Sequence, residues 1–160
     1  MNLIIGSHVS YNNKSQLLGS VKEALSYKAN TFMFYTGAPQ NTNRSVIEDS
    51  LTIEAYKLMK ENNIALEKVI VHAPYIVNLA NFNNFEFSVS FLINEVERCS
   101  TLGIKYLVLH PGSAVNCSRE EAINNISKGL NLILDNDYDV TILLEQWQVK
   151  VMKWVRHLKN

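Results

Sequence analysis

The stretch Lys105-Tyr-Leu-Val-Leu-His-Pro-Gly-Ser113 carries the clearest structural signal in the chain. Its apolar run stops at His110, and Pro111-Gly112 then turns the chain. A short apolar run between turn signals predicts a strand buried on both faces, as parallel strands covered by helices are. A polar side chain at the end of such a strand lies where parallel α/β enzymes hold their catalytic groups. His110 alone fits a catalytic role and a structural cap of the turn equally well.

Length and composition describe one domain of ordinary globular character. The 160 residues allow one domain at most, and an apolar fraction of 47% suits a packed core. Lys+Arg and Asp+Glu balance at 15 each, so no overall basic charge indicates a nucleic-acid partner, although a local basic cleft stays open. Two cysteines without a CxxC pair indicate a reducing compartment. Without a spanning stretch or a signal-peptide pattern, we predict a cytoplasmic protein with no membrane partner.

Strand and helix patterns alternate along the whole sequence. The predicted strands cover residues 3–8, 31–35, 69–72, 104–109 and 140–144. The predicted helices cover residues 15–28, 45–63 and 85–102, with a fourth from 118 to about 135. Gly103 is placed to end the third helix, and Ser118-Arg-Glu-Glu121 matches a capping box at the start of the fourth. This alternation predicts an α/β protein with a parallel sheet, whose repeat length is that of about half a (β/α)8 barrel, (βα)4β.

The first polar side chain after each predicted strand is of a type that binds metals or moves protons. These side chains are His8, Tyr35, His72, His110 and Glu145. Because parallel strands end on one rim, we expect three histidines and a carboxylate to converge there. Imidazole nitrogen and carboxylate oxygen suit zinc and similar divalent ions, which activate water or act on a phosphate oxygen. The recurrence of the pattern favours a metal site over five separate structural roles.

Several motifs resemble those of a known family. They are Gly6-Ser-His-Val-Ser10, Phe34-Tyr-Thr-Gly-Ala-Pro-Gln-Asn41, Val71-His-Ala-Pro-Tyr75 and Leu109-His-Pro-Gly-Ser113. Together they resemble endonuclease IV, the zinc-dependent apurinic/apyrimidinic DNA repair endonuclease. Each motif alone is weak evidence, but the set is highly specific and runs from the N-terminus through Glu145.

The resemblance implies a TIM barrel that holds three zinc ions and binds DNA containing abasic sites. Zinc-activated hydroxide cleaves the phosphodiester 5′ to the abasic site and leaves a 3′-hydroxyl. By position, the resemblance assigns His72, His110 and Glu145 as metal ligands, with Glu145 bridging two ions and serving as the catalytic carboxylate. It assigns Gln40 and Tyr75 to the loops that contact DNA and hold the abasic nucleotide out of the stack. His8 lies in the first family motif, but the resemblance does not assign it as a ligand.

The sequence also departs from the family. Ligands from the second half of the eight-stranded barrel have no counterpart here, so we expect at most one zinc site to be largely retained and the chain alone to be inactive. A five-stranded piece exposes the edges of its first and fifth strands and leaves its inner face without a partner layer. We therefore expect marginal stability or self-association through the exposed sheet edges.

Residues 146–160 do not follow the family, and we predict that they are frameshifted translation after the endonuclease-like half barrel of residues 1–145. Read one base out of frame, Trp147-Gln148 must encode alanine, Met152-Lys153 glutamate and Trp154-Val155 glycine. Each of these falls where the family has that residue. A naturally divergent short homologue is the alternative, and the gene sequence across the Glu145 codon distinguishes the two.

Two other functions stay open at this point. Metal-dependent sugar isomerases and epimerases of related TIM barrels also place carboxylates and histidines at strand ends. The motif pair at residues 71–75 and 109–113 argues against them. The predicted frameshift also suggests a defective gene product that has no function.

Overall fold

A computed structural model of the chain describes residues 3–145, in which strands and helices alternate. The strands are β1 (Gly6–His8), β2 (Thr31–Phe34), β3 (Ile70–His72), β4 (Tyr106–Leu109) and β5 (Thr141–Leu144). The α-helices are α1 (Gln16–Ser26), α2 (Asp49–Glu61), α3 (Phe85–Thr101) and α4 (Arg119–Leu134), with short 3-10 helices at Leu66–Lys68 and Phe82–Asn84. The tail predicted to be frameshifted, residues 146–160, lies outside the described residues.

The strands form one parallel sheet in chain order, β1-β2-β3-β4-β5. Each connection between neighbouring strands carries an α-helix, which is the construction of a (β/α)8 barrel wall. The predicted (βα)4β half barrel is therefore confirmed. Within the described part of the chain, no helix is long and apolar enough to cross a membrane.

The helices cover one face of the sheet, and the apolar core lies between the two layers. Leu107 and Leu109 of β4 are fully buried against this core, whereas Tyr106 and Val108 on the other face are only half-buried. The predicted burial of this strand on both faces is therefore wrong. No second layer covers the inner face within residues 3–145, so Tyr106 and Val108, which point there, keep partial contact with solvent.

The first strand begins later than the sequence pattern predicts. Residues 3–5 are bound by the side chain of Asn30, whose Oδ1 accepts from the Ile5 N–H at 2.7 Å and whose Nδ2 donates to the Leu3 carbonyl at 2.9 Å. These bonds replace the strand ladder there, so the ladder starts where Gly6 pairs with Thr31.

The second helix also begins later than predicted, at Asp49 instead of residue 45. The buried Gln16 carboxamide donates to the Val46 carbonyl at 2.9 Å and accepts from the Glu48 N–H at 2.9 Å. This two-point contact holds residues 46–48 away from helical geometry, and Glu48 becomes the extended residue before the helix.

The two predicted helix-end signals are confirmed. Ser118 Oγ accepts from the Glu121 N–H at 3.2 Å, and Glu121 Oε2 accepts from the Ser118 N–H at 2.8 Å, which completes the capping box. Gly103 follows α3 with φ +60°, a left-handed conformation that glycine adopts at low cost. The end of α3 at Gly103 therefore leads the chain into β4, and the capping box at Ser118 marks where α4 begins after β4.

Candidate metal centre

Three predicted metal ligands meet at the carboxyl ends of neighbouring strands. His72 is the last residue of β3, His110 follows β4, and Glu145 follows β5. The Glu145 N–H donates to the Leu109 carbonyl at 2.9 Å, which continues the strand ladder and sets Glu145 beside His110. Glu145 Oε2 lies 3.1 Å from His72 Nε2 and 3.7 Å from His110 Nε2. Among residues 3–145, this is the set of His, Cys, Asp or Glu side chains close enough to share an ion.

A backbone contact fixes the tautomer of His72. Its Nδ1 lies 2.6 Å from the Ala73 carbonyl oxygen, which can only accept, so Nδ1 carries the proton. In the neutral ring, Nε2 then presents a lone pair to the carboxylate oxygen of Glu145, and two acceptors face each other. A proton or a cation between them resolves this conflict. Metal-binding histidines commonly have the other ring nitrogen anchored in this way.

The spacing of the donor atoms fits a small divalent cation. The three ligand atoms lie within 4.8 Å of one another. Bonds of about 2.0–2.2 Å to zinc place ligand atoms about 3.3–3.6 Å apart at the corners of a tetrahedron. Small side-chain adjustments would therefore bring all three atoms to one ion, with room for a further ligand because Glu145 is half exposed.

Burial and charge at His110 favour its neutral form. Partial burial lowers the pKa of His110, and the neighbouring His72 lowers it further, while Glu145 acts in the opposite direction. A neutral imidazole is the form that binds metal ions. The environment of His110 thus suits a ligand that holds a lone pair near neutral pH.

His8 lies on the same rim but outside this cluster. The Tyr35 ring stands between His8 and His72, with ring centroids 4.5 Å from His8 and 5.3 Å from His72. The three histidines and the carboxylate therefore share one rim, as predicted, but His8 is not one of the three side chains close enough to share an ion. Burial raises the pKa of Tyr35, and the nearby Tyr75 and Glu145 raise it further, so Tyr35 stays protonated at neutral pH.

The two predicted DNA contacts occupy exposed loops beside the rim. Gln40 lies in the loop after β2, and Tyr75 in the loop after β3, where 53% of Tyr75 is exposed. A groove of about 350 Å³ runs between the first two strand ends and residues 37–39 of the β2 loop, lined in part by His8 and Tyr35. Neither Gln40 nor Tyr75 is among the three clustered donors.

Two features that support the rim were missed from the sequence. Asn78 links the loops after β3 and β4, because its Nδ2 donates to the Ser113 carbonyl at 3.0 Å and its Oδ1 accepts from the Ser113 N–H at 3.2 Å. A Cβ on Gly112 would overlap Asn78, so this close approach requires glycine.

The second feature is a buried charged network on α3, at Glu95 and Arg98. Charged residues at helical spacing inside an apolar stripe were the available signal for it.

Comparison with known proteins identifies the family. Residues 21–157 match the family model of xylose isomerase-like TIM barrels. The chain belongs to this family. Within it, the chain is 55% identical over 147 residues to the "Probable endonuclease 4" of Acholeplasma laidlawii, covering 89% of this chain and 50% of the relative. The chain spans about half the length of the curated relatives that it matches.

Solved structures agree with this xylose isomerase-like TIM barrel assignment. Endonuclease IV from Thermus thermophilus matches with a TM-score of 0.72 and 25% identity, covering 89% of this chain and 52% of that chain. A xylose isomerase domain protein from Planctomyces limnophilus matches with a TM-score of 0.63 and 13% identity, over 92% of this chain and 55% of that one. The second match reflects the shared fold alone.

Proposed function

We propose that this chain contributes a metal-binding half of an endonuclease that cleaves DNA 5′ to apurinic/apyrimidinic sites. The convergence of His72, His110 and Glu145 at three neighbouring strand ends carries the proposal. His72 and His110 lie in motifs that resemble endonuclease IV, and the resemblance runs through Glu145. The 55% identity to an Acholeplasma laidlawii relative named "Probable endonuclease 4" supports the same substrate. In this proposal, residues 1–145 are the N-terminal half of the barrel and residues 146–160 are not part of it.

Zinc is the ion that we propose for this centre. Two imidazole nitrogens and a carboxylate oxygen, with one open position, form a ligand set that catalytic zinc uses. A bound zinc ion would act there as a Lewis acid on a phosphate oxygen and lower the pKa of a bound water. The Ala73 carbonyl holds His72 in the ligating tautomer. Residues 3–145 would supply one position of the three-zinc cluster that the resemblance implies, with Glu145 as its catalytic carboxylate.

DNA contacts are proposed for Gln40 and Tyr75. Both side chains are exposed on loops that follow strands of the same rim as the metal centre. The Gln40 amide can donate to phosphate oxygens, and the Tyr75 ring offers a surface on which a base can stack. These two contacts would support a substrate whose abasic nucleotide leaves the stack. DNA as the substrate also leads us to propose the cytoplasm as the compartment.

A metal-dependent sugar isomerase or epimerase is the second candidate. The fold does not separate the two candidates, because the xylose isomerase domain protein shares it. The motifs at residues 71–75 and 109–113 favour the endonuclease. Interconversion of an aldose and a ketose without nicking of DNA would favour the isomerase.

Self-association is proposed as a property of the exposed sheet edges. β1 is exposed along its whole length, and β5 is exposed except at Ile142. Unpaired backbone groups on such edges can bind a strand of another copy. The oligomeric state of the purified chain across a range of concentrations tests this property.

The activity is tested with two proteins, the 160-residue chain and a chimera in which residues 1–145 precede the C-terminal half of the Acholeplasma laidlawii relative. The substrate is a labelled DNA duplex with one abasic analogue. We expect the chimera to nick 5′ to the analogue in a chelator-sensitive reaction. We expect the chain alone to be inactive, because the three clustered donors within residues 3–145 complete one ion site at most.

Two outcomes would contradict these expectations. A folded, zinc-loaded chimera that leaves the abasic duplex intact would overturn the proposed activity. Robust, chelator-sensitive nicking by the chain alone would overturn its expected inactivity. The matched control substrate is the same duplex with an ordinary nucleotide in place of the analogue, which both proteins should leave intact.

A further inference from the structure

The loop of residues 36–45, between β2 and α2, rests on one face of α3. Three α3 side chains that contact the loop or its guanidinium group lie on that face, namely Phe91, Glu95 and Arg98. Their spacing of four and then three residues places them along one helical stripe. The same loop carries Gln40 and forms one wall of the groove beside the strand ends. Its conformation therefore shapes the surface on which a ligand of the rim would lie.

Arg98 joins the two ends of the loop. One guanidinium nitrogen donates to the Ser45 carbonyl at 2.8 Å, and the other donates to the Thr36 carbonyl at 3.0 Å. Arg98 is buried, so these charge-assisted bonds form in a setting where little water competes. The separation between the two ends of the loop is consequently set by a side chain of α3.

Arg44 fills the inside of the loop. Its Nη1 donates to the carbonyls of Asn43 at 2.9 Å and Asn41 at 3.2 Å, and more distantly to that of Ala38 at 3.4 Å. A Cβ on Gly37 would stand only 2.8 Å from this nitrogen, so glycine leaves room for the guanidinium group. The carbonyls on both sides of Gln40 thus point inward to one cation, and the Gln40 side chain is left exposed.

Glu95 fixes the position of Arg44. Its fully buried carboxylate accepts from Arg44 Nε at 2.5 Å and from Thr36 Oγ1 at 2.7 Å. The Arg44 guanidinium also lies 4.9 Å from the centre of the Phe91 ring, in cation–π geometry. Two side chains of α3 therefore fix both the position of the guanidinium group and the orientation of its plane.

We propose that Arg44 is a positioning residue that holds residues 37–43 in one conformation and presents Gln40 to the substrate. The inference deepens the proposed function, because it names the group that orders the loop assigned to DNA contact. A loop that is ordered before binding loses less conformational freedom when the ligand arrives. Arg44 itself faces the protein interior and acts through the loop backbone.

Arg44→Lys in the full 160-residue chain tests the proposal without removing the buried positive charge. A lysine ammonium can still pair with Glu95, but it lacks the planar fork that reaches several carbonyls. We expect amide hydrogen exchange in residues 37–43 to accelerate about tenfold, the effect of losing one or two hydrogen bonds. The matched control is Lys105→Met, which removes an exposed ion pair with Asp139 beside the start of β4. It should leave exchange in the loop unchanged.

Wild-type exchange in residues 37–43 of Arg44→Lys would overturn the proposal. If this variant lowers the thermal unfolding midpoint, the double variant Arg44→Gln with Glu95→Gln removes both charges together and gives the same exchange measurement. Slow exchange in that double variant would equally overturn the proposal. This readout needs no DNA, so it decides the role of Arg44 even if the proposed function fails.

Binding of an abasic DNA duplex tests the connection to Gln40. We expect Arg44→Lys and Gln40→Ala each to weaken binding about tenfold, and the double variant to bind no more weakly than either, because both act through one contact. Fully additive losses would overturn the step from Arg44 to Gln40. A wild-type chain that orders its loop but does not bind the duplex would count against the proposed function and leave the exchange result for Arg44 intact.

Discussion

Two polar regions border the carboxyl end of the sheet, and they are built in opposite ways. In the loop network, the carboxylate of Glu95 lies between donors from Arg44 and Thr36, so each charge faces its complement. In the metal centre, His72 Nε2 and Glu145 Oε2 lie 3.1 Å apart as two acceptors whenever the imidazole is neutral. The Glu95 carboxylate of the first region has its donors within the protein, whereas the second region requires a proton or a cation from outside.

This difference separates side chains that stabilise the fold from side chains that serve a ligand. Buried groups that satisfy one another stabilise a single conformation, and removing one of them leaves its partner buried and unpaired. Groups that face each other without a donor between them add little to the stability of the protein without its ligand. We therefore expect substitutions in the loop network to change unfolding, and substitutions in the metal centre to change metal binding.

The largest effect is expected for Glu95→Ala. The substitution leaves the buried guanidinium group of Arg44 without its carboxylate, and breaking a buried ion pair in this way costs about 3–5 kcal/mol. Urea denaturation followed by circular dichroism measures the loss in the free energy of unfolding. Asp139→Ala is the matched control, because it removes an exposed carboxylate from the ion pair with Lys105 and should leave the midpoint unchanged. Equal losses in both variants would remove the distinction between buried and exposed pairs.

The metal centre should give the reverse result. His110→Ala removes one of the three donors and should weaken zinc binding by roughly 100-fold or more, because even groups that only orient metal ligands are worth 10–100-fold. Competition with a chromophoric chelator measures the affinity. His8→Ala is the control for this measurement, since its imidazole lies on the same rim but is separated from the cluster by Tyr35.

The same variant sharpens the comparison of the two regions. Without zinc, His110→Ala should unfold close to the wild-type urea midpoint, in contrast to Glu95→Ala. Unchanged zinc affinity in His110→Ala would remove this residue from the proposed site. A large loss of stability without zinc would show that the cluster is structural, like the loop network.

The sequence was sufficient to predict which strand ends meet. Parallel strands place their carboxyl ends on one rim whatever path the loops take, so the polar residues at the ends of β3, β4 and β5 had to be neighbours. The same reasoning placed His8 on the rim correctly, but strand order gives no measure of the side chain that lies between neighbouring strand ends. Tyr35 is large enough to separate His8 from the other histidines.

The missed features depend on contacts between residues far apart in the chain. Gln16 delays the start of α2 through bonds to residues 46–48, and Asn30 binds the backbone of residues 3–5. Arg98 closes the loop by bonding Thr36, 62 residues earlier in the chain. Hydrophobic periodicity and capping patterns describe neighbours along the sequence. They therefore do not indicate which side chain will form hydrogen bonds with a backbone group far away in the sequence.

The smallest expected effect concerns a polar contact at the surface, where Ser10 binds Glu23 of α1. The Ser10 N–H donates to Glu23 Oε2 at 3.0 Å, and the Ser10 hydroxyl donates to the same oxygen. These bonds lower the pKa of Glu23, with the hydroxyl bond contributing most. A carboxyl group with a lowered pKa adds stability above its unfolded pKa, and this stability is lost as the pH falls through the folded value. Because Glu23 lies at the solvent-accessible surface, the contribution is small.

Glu23→Gln should therefore lower the urea midpoint slightly near pH 7, and the difference from wild type should shrink as the pH falls below the ordinary value of 4.5. Glu54→Gln, on the exposed side of α2, is the matched control for loss of a surface carboxylate. A difference for Glu23→Gln that stays constant down to about pH 3 would mean that Ser10 binds the acid as well as the carboxylate. The contact between Ser10 and Glu23 would then stabilise one conformation, as the loop network does. Unlike the ion pair of Glu95 with Arg44, however, its contribution to stability would not depend on the charge of the carboxylate.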